Sequence, residues 1–200
     1  MSTKNATGSA RRTELLELAY AYTLEHGLAN LSLRPLAAAT CTSPRVLLYL
    51  FGSKDELVRE LLARARRDQL QLVAEVTLEL RAEVDAREGA GPAGDGLDDY
   101  RELVRRLWRW VAAPERCGTI RLFFEAYALS LRPYPGPWRG FAEQSVRDWT
   151  EVLLGAHPAG SPEQAAVRVT RTLALLRGLL LHRLAGGDPD HLEEALLAAL

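Results

Sequence analysis

Apolar residues in this chain recur three and four positions apart, the spacing of one helix face, and no stretch alternates as a half-buried strand would. The pattern predicts a first helix over residues 11–26, with Leu15, Leu18, Ala19 and Tyr22 on one face and Gly27 as its stop. Ser32 opens a short helix in which Pro35 falls in the first turn, where its missing N–H matters little. After Thr40-Cys41-Thr42, Ser43-Pro44 starts a second short helix that ends at Gly52. Ser53 and Glu56 form a capping box for the next helix. Residues 54–88 contain neither Gly nor Pro, and read as one long helix or as two joined near Arg67-Asp68. Gly89 to Gly96 is a loop. Helices follow over 97–112, 114–131, 137–156 and 162–185, then a short last one begun by Asp188 or Asp190, and the proline-rich RPYPGPWRG reads as a stiff, extended connection. The expected fold is all-α.

Residues 32–56 organise the rest. Two short helices joined by a three-residue turn have helix-turn-helix geometry, in which the second helix can lie in a DNA major groove. Helical spacing sends Leu47, Leu50 and Phe51 to the core and leaves Arg45, Leu48 and Tyr49 on another face, with Pro44 beside them. Arginine can bond a guanine bidentately, and an exposed leucine can meet a thymine methyl. Tyr49 can donate to a phosphate oxygen, and Lys54 stands at a helix N-terminus suited to a phosphate.

These residues resemble the DNA-binding domain of the TetR family of bacterial transcriptional repressors. The resemblance covers about residues 10–60 and rests on Leu31-Ser32-Leu33-Arg34, Leu36-Ala37, Ser43, Leu47, Phe51, Gly52-Ser53-Lys54-Asp55 and Leu57. Cys41 stands where the family has its turn glycine, Leu48 where it has a tyrosine, Leu50 where it has a histidine or tyrosine, and Pro35 in place of a frequent acidic residue. The resemblance implies a three-helix DNA-binding head at 11–55, after a disordered arm at 1–10, and a larger helical ligand-binding and dimerisation bundle at 56–200. Arg34, Thr42, Ser43, Pro44, Arg45, Leu48, Tyr49 and Lys54 are the expected contacts to double-stranded DNA. Lys4, Arg11 and Arg12 are candidates for approaching the DNA backbone or minor groove.

The body offers two further expectations. Aromatics gather around the proline-rich connection, as plain core or as a pocket for a small, mostly apolar effector, and the pocket is expected from Trp108, Phe123, Phe124, Tyr127, Trp138 and Trp149, with Arg121 or Glu125 as polar handle and Tyr134 nearby. The helix at 162–185 is apolar round most of its circumference and must bury more than one face. A homodimer interface through Val169, Leu173, Leu176, Leu180 and Leu184 satisfies this, as would an entirely intrachain core, and Gly178 permits close helix approach.

Charge and composition sharpen this reading. The net charge is −1, but residues 1–54 carry +3, a basic head on an acidic body. Arg101, Arg105 and Arg109 form a basic stripe expected to be solvated. Only Cys41 and Cys117 are present, expected as buried, inert thiols in a reducing cytoplasm. No apolar leader or membrane-length run appears, and the four histidines lack metal-ligand spacing, so no cofactor is expected. No catalytic motif supports an enzyme. The sequence therefore points to a cytoplasmic, homodimeric repressor on a palindromic operator with half-sites about 34–36 Å apart or a multiple of that. The rival is a helical dimeric interaction protein whose degenerate head no longer reads DNA.

Overall fold

The computed structural model describes residues 3–88, 97–157 and 160–200. The helices are α1 (Thr3–His26), α2 (Leu33–Ala39), α3 (Pro44–Phe51), α4 (Lys54–Glu88), α5 (Leu97–Val111), α6 (Cys117–Ser130), α7 (Phe141–Gly155), α8 (Pro162–Leu184) and α9 (Pro189–Ala199). Among the described residues there is no strand, and no helix is long and apolar enough to cross a membrane. The chain is all-α, as its periodicity predicts. The Gly89–Gly96 loop lies outside the described residues. Residues 3–10 continue α1 upstream in place of the expected disordered arm; the Lys4 side chain lies outside the description.

The chain divides into two compact units. The first comprises residues 1–68 and 118–142, so it gathers the three head helices, the start of α4 and most of α6. The division at 68 falls where the sequence suggests a join, yet α4 runs through it unbroken. The core of this unit draws on five helices. It contains Leu15, Leu16, Ala19 and Tyr20 of α1, Leu36 and Ala37 of α2, and Leu47 and Phe51 of α3. Leu57, Val58, Leu61, Leu62 and Ala65 of α4, Leu122 and Ala126 of α6, and Leu28 and Leu31 between α1 and α2 complete it.

The buried face of α1 is thus Leu15, Leu16, Ala19, Tyr20 and Thr23, rotated from the expected one. Leu18 is exposed, and the Tyr22 ring stacks on His26 at 4.0 Å. The reason is α6, whose Leu122 and Ala126 join the core and draw Leu16 and Tyr20 inward. Gly118 lets α6 sit close to α1: a Cβ there would stand 2.7 Å from the Leu24 carbonyl oxygen. Arg64 pairs with Glu17 at 2.7 Å and with Asp68, and its guanidinium lies over the Tyr20 ring. The proline-rich connection is a turn and not an extended segment. It folds into one short 3₁₀ turn, Gly136–Trp138, with left-handed φ at Gly136 and Gly140. Tyr134 is 94% exposed, so it lines no pocket.

The second unit comprises residues 69–117 and 143–200. Here α8 packs on α9 and α5. Tyr100 donates to Thr172 Oγ1 at 3.1 Å, fixing α5 to α8. Asp188 caps α9 by accepting from the N–H groups of Asp190 and His191. Val169, Leu173, Leu176 and Leu180, expected between subunits, are buried inside this unit, and Leu184 is half-buried. That is a correction: α5 and α9 already cover this side of α8. The exposed side carries Val167 (71% exposed), Thr170, Ala174, Gly178 and Leu181. The basic stripe faces solvent, as expected, and its arginines meet surface carboxylates: Arg101 with Asp98, Arg105 with Glu102 and Arg109 with Glu193.

Candidate nucleic-acid interface

Local rules build the helix-turn-helix. Helix α2 ends in a Schellman arrangement, with Thr42 N–H donating to the Ala37 carbonyl at 2.8 Å and Cys41 N–H to Ala38 at 3.3 Å. This motif needs a left-handed residue, and Cys41 supplies it at φ +50°. The Thr40 hydroxyl turns inward and donates to the Leu36 carbonyl. Ser43 caps α3 by accepting from Val46 N–H, and Pro44 takes the first helical position. Half of the expected capping box of α4 forms: Glu56 N–H donates to Ser53 Oγ at 3.1 Å, but the Glu56 carboxylate accepts from the Ser53 hydroxyl, while the Ser53 N–H donates to the Phe51 carbonyl. Ser32 departs from expectation. It holds the N-cap position of α2, but its hydroxyl makes no capping bond.

These caps orient α3. Leu47 and Phe51 are buried and Leu50 packs partly against the core, as spacing predicts. Arg45, Leu48 and Tyr49 face out, Tyr49 being 86% exposed. Arg34, Pro44 and Lys54 line one surface hollow of about 770 Å³, together with Asn30 and Ser32. The starts of α2, α3 and α4 therefore meet in one place, where helix dipoles favour an anion. Thr42 is half-buried in the turn. Asn30 and the uncommitted Ser32 hydroxyl are additions that sequence reasoning missed, since spacing alone does not reveal which loop residues reach the hollow.

The ion pairs divide the cations of this unit. Arg11 pairs with Glu14 at 2.7 Å. Arg12, a candidate DNA contact, is instead tied to Glu60, to the Leu50 carbonyl at 3.1 Å and to the face of Phe51. Arg34, Arg45 and Lys54 have no carboxylate partner among the described residues. A cation left unpaired beside helix N-termini is available to a phosphate or a base edge.

The expected effector residues fall in different units. Phe123, Phe124, Tyr127 and Trp138 belong to the first, Trp108 and Trp149 to the second. In the first, Phe123 packs its ring against Phe124 at 5.1 Å and against Tyr127 and Phe141 at 5.8 Å. In the second, Trp108 is buried, while Trp110 lies half-buried under Arg116. Glu125, expected as a polar handle, accepts from the Leu28 N–H at 2.8 Å and weakly from Ala29. Cys41 is exposed and Cys117 half-buried, which corrects the expectation of buried thiols.

The fold is similar to that of solved structures. A TetR-family transcriptional regulator from Rhodococcus sp. aligns over 95% of this chain and 96% of its own, with TM-score 0.64 and 19% identity. A transcriptional regulator from Saccharomonospora viridis, solved with choline, aligns over 94% of each chain with TM-score 0.66 and 20% identity. The chain has the TetR fold. The multidrug binding protein EbrR, solved with proflavin, shares it over 95% of this chain and 99% of its own, with TM-score 0.59 and 21% identity. No protein-family model matches the sequence, and no curated protein matches it significantly.

Proposed function

We propose that the chain is a TetR-family transcriptional regulator, a homodimeric repressor released from a palindromic operator by a small, mostly apolar effector. One observation carries this reading: Arg34, Arg45 and Lys54, which have no carboxylate partner among the described residues, stand at the starts of α2, α3 and α4. Arg45 and Leu48 read the major groove, while Arg34, Ser32, Tyr49 and Lys54 hold phosphates. A second subunit docks on the exposed side of α8 at Thr170, Ala174, Gly178 and Leu181. Phe124 and Tyr127 border the effector, and choline and proflavin in the similar proteins support a regulator that answers small molecules. Release requires the effector to favour one conformation over the other, since equal affinity shifts nothing. The reading assigns no catalytic residue.

The test is fluorescence-anisotropy binding to the DNA upstream of the protein's own gene, at two salt concentrations. Arg45→Ala is expected to lose about 1–3 kcal/mol and relax specificity at one base pair. Lys54→Ala is expected to weaken all sequences alike and reduce the salt slope by about one. Binding no better than to random DNA, in a genome-wide selection of fragments as well, would favour the interaction-protein reading.

A further inference from the structure

The second unit holds a groove of about 550 Å³ that the DNA-reading face does not use. Arg101 of α5 and Gln164, Val167, Arg168 and Arg171 of α8 line it, with Leu200. The α8 residues stand at i, i+3, i+4 and i+7, so they share one helix face. The Tyr100–Thr172 hydrogen bond holds α5 and α8 together beside it.

The cations in this groove are unequal. Arg101 is committed, donating from Nε to the Leu200 main-chain oxygen at 2.9 Å and from Nη1 to Asp98 at 3.0 Å. Arg168 and Arg171 have no carboxylate partner among the described residues. By contrast Arg105 and Arg109 on α5 each pair with a carboxylate, and Arg106 pairs with two, Glu83 and Glu102. Glu163, the acidic side chain among the described residues of the groove wall, accepts from the Ser161 hydroxyl at its own helix start. Two guanidinium groups one helical turn apart repel each other until an anion lies between them. Val167, Leu200 and the arginine stems give the same groove an apolar wall.

We propose that this groove binds a small amphipathic carboxylic acid, its carboxylate between Arg168 and Arg171 and its hydrocarbon against Val167 and Leu200. Binding here is independent of whether Arg45 reads a base. The test is isothermal titration of the full chain with sodium octanoate, with acetate and 1-octanol as controls, and with the Arg168→Gln/Arg171→Gln double variant. Among the described residues neither side chain makes an ion pair, so the variant is expected to keep its circular dichroism spectrum. The expected result is one octanoate per chain, with acetate and octanol much weaker and the double variant weaker by at least about tenfold, as the loss of charge-assisted hydrogen bonds implies. Equal octanoate binding by wild type and variant, or none by either, overturns the proposal. A double variant that changes oligomeric state in sedimentation while keeping its octanoate affinity also overturns it, and assigns the arginines to a partner's carboxylates.

Discussion

Cys41 sits at φ +50°, the left-handed conformation that a Schellman turn demands and that a side chain resists. The penalty for a residue with a Cβ is about 1–2 kcal/mol. Glycine removes it but adds roughly 0.5–1 kcal/mol of unfolded-state entropy. Strain is the larger effect, so Cys41→Gly is expected to stabilise the protein by about 0.5–1 kcal/mol in urea unfolding; a destabilised variant would show that the thiol makes a compensating contact. Tyr20 makes a pH prediction. Burial, with the Asp68 carboxylate adding, pushes its hydroxyl up to about 12. Below about pH 10 the hydroxyl is protonated in both states and stability is unaffected. Above it the unfolded chain loses its proton first, so stability falls as pH rises from 10 to about 12. Tyr20→Phe is expected to flatten that fall in unfolding midpoints measured at intervals across this range. Tyr100, also raised by burial, leaves a residual slope.

At the level of elements, α6 is the helix whose place the sequence least revealed. Its Gly118 approaches the Leu24 carbonyl, and its Glu125 holds the Leu28 N–H at the end of α1. Gly118→Ala gains about 1 kcal/mol of helix propensity. Against this, the new Cβ meets backbone at 2.7 Å, and overpacking of that kind costs about 1–3 kcal/mol. The expected net effect is destabilisation, with faster hydrogen exchange at Leu28 and Ala29; a more stable variant would show that α6 can move away freely. Helix ends were legible because caps are local: Ser43-Pro44, Gly52 and Ser53-x-x-Glu56 act within one turn. Helix faces were legible only where one neighbour decides them, as in α3. The α1 face was misjudged because α6, distant in sequence, supplies part of its cover. In the candidate interface, Arg45 and Tyr49 could be read from spacing, whereas the commitment of Arg12 to Glu60 and Leu50 depends on tertiary placement.

For the whole molecule, the proposed dimer turns on which side of α8 meets the second subunit. Apolar periodicity favoured Val169, Leu173, Leu176 and Leu180, which the chain itself buries. The other side offers Thr170, Ala174, Gly178 and Leu181, at spacings of three and four, and a Cβ at Gly178 would meet nothing within 4 Å. Substitutions on the two sides therefore have opposite signatures. Leu176→Ala opens a cavity in the unit's own core and is expected to lower folding stability by about 2–5 kcal/mol. Ala174→Glu lies on an exposed helix surface, where the propensity difference is only a few tenths of a kcal/mol, so the single chain is expected to fold as before. In a dimer packed on that surface, the same glutamate would be a buried, unpaired charge, and association should weaken by about 3–5 kcal/mol. Sedimentation equilibrium of the two variants, beside their urea curves, separates the effects. A folded monomer for Ala174→Glu supports the exposed side of α8 as the interface; an undisturbed dimer places the interface elsewhere.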